Sequence, residues 1–176
     1  MFWRVILTVV LATGVDLKLP AEQLDEYRVK AAFLYNFAKF VDWPAEAFAT
    51  PGEPFSICVL GNDPFGQSLD DVIAGRAIGG RPVVVRRISD ARQTGGCQIL
   101  FVTSSAGKHV VSALAAMKRS GVLTVGEAGN STSEGLIINF TLEAGKVRFE
   151  IDLLAAADEK LRFNSRLLSL ATVVRR

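Results

Sequence analysis

The sequence predicts an α/β fold in which a largely parallel sheet carries helices on both faces and is closed by an antiparallel hairpin. Two observations lead to this prediction. Short apolar runs of strand length alternate with helical segments through the middle of the chain, as in a parallel sheet. Towards the C-terminus, two segments with strand-like alternation flank the tight turn Ala144-Gly145, as in a hairpin. The 176 residues suffice for one domain with its own core, placed at residues 22–175.

Residues 1–15 form an apolar run that ends at Asp16. A transmembrane helix needs about 20 apolar residues, so this run is too short to span a bilayer. One basic residue, Arg4, ahead of an apolar run of this length is typical of a secretory signal peptide. A buried first strand is the alternative. We therefore predict a signal peptide over residues 1–15 and a secreted mature protein.

The segment from Glu26 to Pro44 predicts an amphipathic helix with two adjoining apolar faces, which needs cover on two sides. Pro44 disfavours the helical conformation at Trp43, so the helix is expected to end near Val41 or Asp42. The main stripe comprises Tyr27, Ala31, Leu34, Ala38 and Val41, and the flank comprises Lys30, Phe33, Phe37 and Phe40.

The middle of the chain predicts four strands, at residues 55–60, 82–88, 98–103 and 122–125. Asp63 is expected to cap a helix that begins at Pro64, between the first two strands. A second helix is expected over residues 104–119, between the last two. Right-handed crossovers between parallel strands would place helices on both faces of the sheet, as in a Rossmann-like three-layer sandwich.

The last part of the chain predicts a hairpin of residues 136–143 and 146–152, followed by two helices. In the second arm of the hairpin, apolar and charged residues alternate, so one face is expected to be buried. The first helix is expected over residues 153–160, and Ser165 is expected to cap the second, which would carry Leu167, Leu168, Leu170 and Val174.

The composition excludes some functional classes. Lys and Arg exceed Asp and Glu by only 20 − 18 = 2, and the basic residues are dispersed. This is not the electrostatic footprint of a nucleic-acid-binding protein.

Catalytic and metal-binding patterns are not recognisable. Lys108 follows Gly107 without the earlier glycine of a phosphate-binding loop. The sole histidine, His109, lies four residues after Ser105, but no Gly-x-Ser-x-Gly motif accompanies the pair. We interpret them as a capping serine and a surface histidine, with a hydrolase as an alternative. One histidine and two cysteines in strands do not make a metal site. We predict a non-enzyme without cofactor or metal.

Two surfaces are candidates for binding. Ligands of open α/β sheets favour the carboxyl ends of the strands, here marked by Asn62, Ser104 and Glu127, although capping and turn formation also explain such residues. The polar face of the last strand, with Arg148 and Glu150, is the second surface, although a solvated sheet edge would look the same. It is extended by Arg162 and Arg166 and, on the outward side of the first helix, by Tyr35 and Lys39.

The chain has two cysteines, each in an apolar run. Cys58 lies inside the run 55–60, and Cys97 opens the run 97–102. If these strands are neighbours, the two Cα atoms could fall within the about 4.4–6.8 Å that a disulfide requires. Two buried thiols are the alternative.

Several motifs, in order and spacing, resemble the YfiR-like family of small periplasmic proteins of Gram-negative bacteria. The resemblance runs from Tyr27 to Val174. It is carried most clearly by KAAFLYNFAKFVDWP at residues 30–44 and CVLGNDPFG at residues 58–66. Further matching segments are CQILFV at residues 97–102, VLTVGE at 122–127, IINF at 137–140, KVRFEI at 146–151 and SRLL at 165–168.

The resemblance implies a periplasmic regulatory protein that acts by binding. The best-understood relative represses an inner-membrane diguanylate cyclase through its periplasmic domain, which lowers cyclic di-GMP and biofilm formation. An outer-membrane lipoprotein relieves the repression. A homodimer and a Cys58–Cys97 disulfide are implied as well, whereas a second cysteine pair of some relatives is absent near residues 132–139. The alternative function is a periplasmic small-ligand sensor that uses Asn62, Ser104 and Glu127.

Overall fold

A computed structural model describes residues 21–107, 110, 121–127 and 135–175. The predicted signal peptide and most of the helix predicted over residues 104–119 lie outside these ranges. Among these residues, the α-helices with defined bounds are α1 Ala21–Phe40, α2 Gln67–Ile73, α3 Leu153–Asp158 and α4 Ser165–Leu168. The strands are β1 Val41–Asp42, β2 Phe55–Leu60, β3 Ala77–Ile78, β4 Arg81–Ile88, β5 Ile99–Val102, β6 Leu123–Glu127, β7 Ile138–Glu143, β8 Lys146–Asp152, β9 Arg162–Phe163 and β10 Val173–Arg175.

The main sheet has the strand order β10-β8-β7-β6-β5-β2-β4-β3. The five central strands, from β4 to β7, pair in parallel. β7 and β8 form the predicted antiparallel hairpin, in which Phe140 lies opposite Phe149. β1 and β9 pair separately in a two-stranded ribbon. The predicted α/β class, with a largely parallel sheet and a closing hairpin, is confirmed.

Alternation along β2 divides the core between the two faces of the sheet. Phe55, Ile57 and Val59 belong to the larger apolar cluster, which also contains the buried residues of α1 and α2. Cys58 and Leu60 belong to a second cluster. Val110, the described residue of the predicted second helix, is helical and buried in that cluster. Within the described residues, α1 and α2 therefore pack on one face, and the helical Val110 packs on the other.

Helix α1 ends just before the predicted limit at Val41 or Asp42, because these two residues pair with β9 instead, and it begins earlier than Glu26. Its last residue is Phe40, and β1 follows directly. The indole N–H of Trp43 donates to the carbonyl of Ala38 at 3.3 Å, which folds the chain back over the helix end. The Trp43 ring also meets Phe55 edge-on, with centroids 5.1 Å apart. No helix in the described part of the chain is both long enough and apolar enough to cross a membrane.

Helix α2 begins at Gln67 rather than at Pro64. The Asp63 carboxylate accepts the Phe65 N–H at 2.8 Å, which makes a turn before the helix instead of a cap. Arg87 on β4 holds the other oxygen of Asp63 at 2.7 Å. Gly66 then takes a φ of +53°, which delays helical geometry by one further residue.

The last predicted helix is wrong beyond Leu168. Asn164, not Ser165, caps α4 by accepting the Arg166 N–H at 2.8 Å. Val174 lies in strand β10, opposite Ile151 in a parallel pair with β8. The apolar spacing of this segment fits a helix, but β-branched valines at a free sheet edge are more stable as a strand.

Candidate functional site

A buried charged cluster lies at the carboxyl end of the parallel strands. Lys30 of α1 is only 3% exposed. Its ammonium pairs with the carboxylates of Glu26, one turn earlier, and Glu127, the last residue of β6. The Tyr27 hydroxyl donates to the same oxygen of Glu127 at 3.0 Å. We call these four residues the Lys30 cluster.

Two aromatic rings also lie near the Lys30 ammonium. The ammonium lies 4.5 Å from the centroid of Tyr27 and 6.0 Å from that of Phe140, both within cation–π range. Tyr27 in turn meets Phe65 edge-on at 5.5 Å. The cluster therefore joins α1, β6, β7 and the loop after β2.

Charge balance explains why a lysine is tolerated inside this core. A buried ammonium without a partner is costly, and here two carboxylates compensate it. The side chains of Glu26 and Glu127 keep 22% and 18% exposure, so their negative charge remains partly hydrated. Burial, and then the negative charge of Glu127, raise the pKa of the Tyr27 phenol well above its ordinary value. Tyr27 is therefore a neutral donor at any physiological pH.

The predicted ligand pocket at Asn62, Ser104 and Glu127 is divided in the structure. The Asn62 N–H donates to the hydroxyl of Ser105 at 2.8 Å, so the loops after β2 and β5 do meet. Gly61 allows this approach, because a Cβ there would lie 2.2 Å from the Thr103 hydroxyl and φ is +98°. Glu127 contacts α1 instead. Asn62 and Ser104 are exposed, and a ligand at these residues stays a prediction.

The predicted partner residues lie on several elements. Glu150 on β8 reaches Arg175 at 3.9 Å and keeps 29% side-chain exposure. Arg148, two residues earlier, is exposed. Arg162 is exposed on β9, opposite Asp42 of β1. A role for these residues in binding also stays a prediction.

Tyr35 and Lys39 form a separate surface group on α1. The Lys39 ammonium lies 5.8 Å from the Tyr35 centroid, and the Arg76 guanidinium lies 4.8 Å from the same ring. Arg76 also donates to the carbonyl of Val72 at 2.7 Å, which fixes it at the end of α2. Arg76 could not be identified from the sequence, because its contact with Tyr35 exists only once α1 and α2 are packed together.

Cys58 and Cys97 are joined by a disulfide, with Cα atoms 5.8 Å apart. Both residues are buried, at 0% and 2% exposure. Arg86 on β4 lies beside the bridge: one guanidinium nitrogen is 3.8 Å from the Cys97 sulfur and donates to the carbonyl of Gly95 at 2.7 Å. The disulfide thus fixes β2 to the start of β5 inside the second apolar cluster.

The Lys30 cluster was not predicted as a site. The helical pattern places Lys30 in an apolar flank of the first helix, and a lysine at such a position is the one signal that was available. Its partner Glu127 lies 97 residues away in the chain, and the sequence indicates only a strand-end pocket for that residue. The described residues contain no group of three or more His, Cys, Asp or Glu placed to hold a metal.

Comparisons with known proteins point to one family. The family model described as YfiR/HmsC-like matches residues 27–172. No curated protein matches the sequence.

Two solved structures are similar to the chain at low sequence identity. A conserved domain protein from Vibrio cholerae O1 biovar eltor is 12% identical, with a TM-score of 0.49 over 68% of this chain and 54% of that one. The ABC domain from Streptococcus pneumonia, in complex with L-Trp, is 9% identical, with a TM-score of 0.50 over 87% of this chain and 60% of that one. The chain therefore spans little more than half the length of either structure, and the likeness concerns the fold alone.

Proposed function

The chain belongs to the YfiR/HmsC-like family, and from this membership we propose that it is a periplasmic regulatory protein that represses an inner-membrane diguanylate cyclase. It binds the periplasmic domain of the cyclase, or of a related sensor kinase, and so lowers cyclic di-GMP signalling and biofilm formation. An outer-membrane lipoprotein relieves the repression by sequestering it. The family match over residues 27–172 is the observation that carries this proposal.

Two features support a periplasmic location. Residues 1–15 have the length and apolar character of a signal peptide. The Cys58–Cys97 disulfide suits an oxidising compartment, since disulfides are rare in the cytosol.

We further propose that repression is a binding event without catalysis. The Ser105 hydroxyl accepts the Asn62 N–H at 2.8 Å, and the Thr103 hydroxyl donates to the Leu60 carbonyl at 2.9 Å, so both hydroxyls connect the segment after β5 to the end of β2. The buried Lys30 is fully engaged by Glu26 and Glu127. These polar groups at the strand ends are occupied by internal contacts, which favours a structural role for them.

The polar face of β8 is the surface that we propose for the cyclase. Glu150 is half-buried and its contact with Arg175 is long, so its carboxylate is available to a partner cation. We also include Arg148 and Arg162, which carry exposed positive charges, among the proposed partner residues, and Tyr35 and Lys39 on α1 as a separate group. Charges at the rim of an interface chiefly govern association rate and specificity.

Charge reversal at Glu150 tests the function and the surface together. A strain without the gene should contain more cyclic di-GMP, and the wild-type gene should restore the original level. Glu150→Arg should fail to restore it, because a partner cation would then face a guanidinium. Asp71→Arg, the same kind of change at an exposed position on α2, is the matched control and should restore it.

The outcomes separate the two claims. Unchanged cyclic di-GMP on deletion would contradict repression itself. Full restoration by Glu150→Arg would leave repression standing and reject the β8 surface. Immunodetection of each variant in the periplasm excludes a trivial loss of protein.

A periplasmic small-ligand sensor is the second candidate function. It is favoured by the position of the Lys30 cluster at the carboxyl ends of the parallel strands, where ligands of open α/β sheets bind. Asn62, Ser104 and Glu127 remain the proposed contacts. A thermal-shift screen with free amino acids and nucleotides discriminates the two functions, because a ligand that binds the folded state raises the melting temperature.

A further inference from the structure

Two exposed cations lie beside one tyrosine ring on the surface formed by α1 and the end of α2. The Arg76 guanidinium lies 4.8 Å and the Lys39 ammonium 5.8 Å from the ring centroid of Tyr35, both within cation–π range. Tyr35 is half-buried against the larger apolar cluster, so its ring is a fixed platform. None of the salt bridges between described residues involves either cation. We call Tyr35, Lys39 and Arg76 the Tyr35 site.

Arg76 is held in place while its terminal nitrogens stay available. Its Nε–H donates to the carbonyl of Val72 at 2.7 Å, and its guanidinium lies against the Tyr35 ring. Its two terminal nitrogens contact no acceptor within the described part of the chain. The planar fork of a guanidinium matches the two oxygens of a carboxylate. A fork that is already held loses less conformational freedom on binding than a mobile side chain would lose.

Other hydrogen-bonded arginines use their terminal nitrogens inside the protein. Arg81 and Arg86 donate from these nitrogens to backbone carbonyls. Arg87 and Arg92 donate from them to aspartate carboxylates. Among the described arginines, Arg76 is therefore the one that is hydrogen-bonded through Nε while its fork remains open to an external oxyanion.

The Tyr35 site and the β8 surface lie on opposite faces of the sheet. Helix α1 packs in the larger apolar cluster, which also contains Phe149 and Ile151 of β8. Because side chains alternate along a strand, Glu150 belongs to the other face. A partner bound at the β8 surface therefore need not cover the Tyr35 site.

We propose that the Tyr35 site is a second docking site, which binds an acidic segment of a protein partner. One carboxylate of the segment accepts two hydrogen bonds from the Arg76 fork, and a neighbouring carboxylate interacts with Lys39. The exposed part of the Tyr35 ring packs against the same segment, and tyrosine and arginine are enriched among interface hot spots. Two cations suit a short acidic segment, whereas recognition of an anionic membrane surface typically uses clusters of about four to eight basic residues.

Titration of the purified mature protein with a tetraglutamate peptide, blocked at both termini so that only its side chains are charged, tests the proposal. The hydrogen bond to Val72 protects the Arg76 Nε–H from exchange, so its signal can be followed by nuclear magnetic resonance. The signal is assigned by its absence from Arg76→Lys. We expect it to shift saturably with tetraglutamate and to stay in place with tetraglutamine.

Variants identify the groups that bind. Arg76→Lys should raise the dissociation constant of tetraglutamate at least about fivefold, or about 1 kcal/mol, because an ammonium keeps the charge but lacks the fork. Arg92→Lys is the matched control and should bind like the wild type, since Arg92 is exposed and already paired with Asp90. Tyr35→Phe keeps the ring and should also bind like the wild type, whereas Tyr35→Leu should weaken binding.

Three results would overturn the proposal. These are no saturable shift of the Arg76 signal, equal affinities for the wild type and Arg76→Lys, and preferential binding to phosphatidylglycerol vesicles that Arg76→Lys abolishes. The last result would replace the protein partner with a membrane surface. The melting temperature of each variant separates lost binding from lost folding. Should Tyr35→Leu unfold, the comparison of Arg76→Lys with Arg92→Lys still decides.

The peptide titration involves no cyclase, so this proposal goes beyond the regulatory function and can fail without it. Loss of repression is read from cyclic di-GMP, and loss of the docking site is read from the Arg76 signal.

Discussion

Lys30 is the residue that connects helix α1 to the carboxyl end of strand β6. Its ammonium holds Glu26 and Glu127, and the Tyr27 hydroxyl adds a hydrogen bond of 3.0 Å. Each charge in this group is tolerated in the interior only because the others are present. A helical pattern places Lys30 on an inward-facing position, but its partner on β6 follows from the tertiary fold alone. The helical periodicity of the sequence therefore predicted that Lys30 is buried, but it did not predict that Lys30 forms a cluster with Glu127.

Tyr27 makes the cluster sensitive to alkaline pH. Burial and Glu127 raise the pKa of Tyr27 above its ordinary value of 10.0 in the folded state. The contribution of the neutral Tyr27 phenol to the free energy of unfolding is therefore fully present below about pH 10. It is lost as the pH rises through the pKa of Tyr27 in the folded state. We expect the free energy of unfolding to fall less steeply above about pH 10 in Tyr27→Phe than in the wild type.

Direct titration of the phenol provides the control for this prediction. The chain has only two tyrosines, Tyr27 and Tyr35, so Tyr27 is the sole phenol in Tyr35→Phe. Its ultraviolet absorbance change should occur above the ordinary pKa of 10.0 in the folded protein. Titration of Tyr27 at its ordinary value, or an equal alkaline loss of stability in Tyr27→Phe, would show that the hydrogen bond to Glu127 is not maintained.

Among the secondary-structure elements, two neighbouring strands of the parallel sheet are fixed by the disulfide. Cys58 and Cys97 are 39 residues apart and lie in the smaller apolar cluster. A loop of this length restricts the unfolded chain, and the chain-entropy model gives about 4 kcal/mol of stabilisation. The double change Cys58→Ala/Cys97→Ala should therefore lower the free energy of unfolding by a similar amount in denaturant titrations.

Reduction of the Cys58–Cys97 disulfide in the wild type provides a second test of that prediction. A thiol reductant should lower the stability of the wild type towards that of the double variant and leave the variant unchanged. A double variant as stable as the oxidised wild type would mean that the bridge contributes little beyond the packing of β2 and β5.

The boundaries of the helices and strands depend on tertiary contacts as well as on the local sequence. Pro44 disfavours helix at Trp43, the residue directly before it, but α1 already ends at Phe40 because Val41 and Asp42 pair with β9. The C-terminal segment was assigned to a helix, yet Val174 pairs with Ile151 of β8. Its apolar spacing fits both structures, and a free sheet edge decided between them. Asp63 likewise makes a turn rather than a cap, because Arg87 on a neighbouring strand holds it.

For the molecule as a whole, the architecture follows from the alternation of apolar runs and helical segments. The continuous apolar run at residues 98–103 is typical of a strand covered on both faces, and every residue of β5 is buried, as is every residue of β2. The binding surfaces were less accessible to this reasoning. Glu150 lies near Arg175 only because β10 pairs in parallel with β8, and the sequence pattern did not predict that pairing.

We have proposed that this member of the YfiR/HmsC-like family acts by binding a membrane cyclase from the periplasm. Direct binding of the purified mature protein to the isolated periplasmic domain of the diguanylate cyclase encoded near its gene tests that proposal. We expect a saturable complex, formed by the wild type and Asp71→Arg and weakened at least about tenfold, or about 1.4 kcal/mol, by Glu150→Arg. No complex with the wild-type protein, at concentrations where both partners are folded, would contradict it.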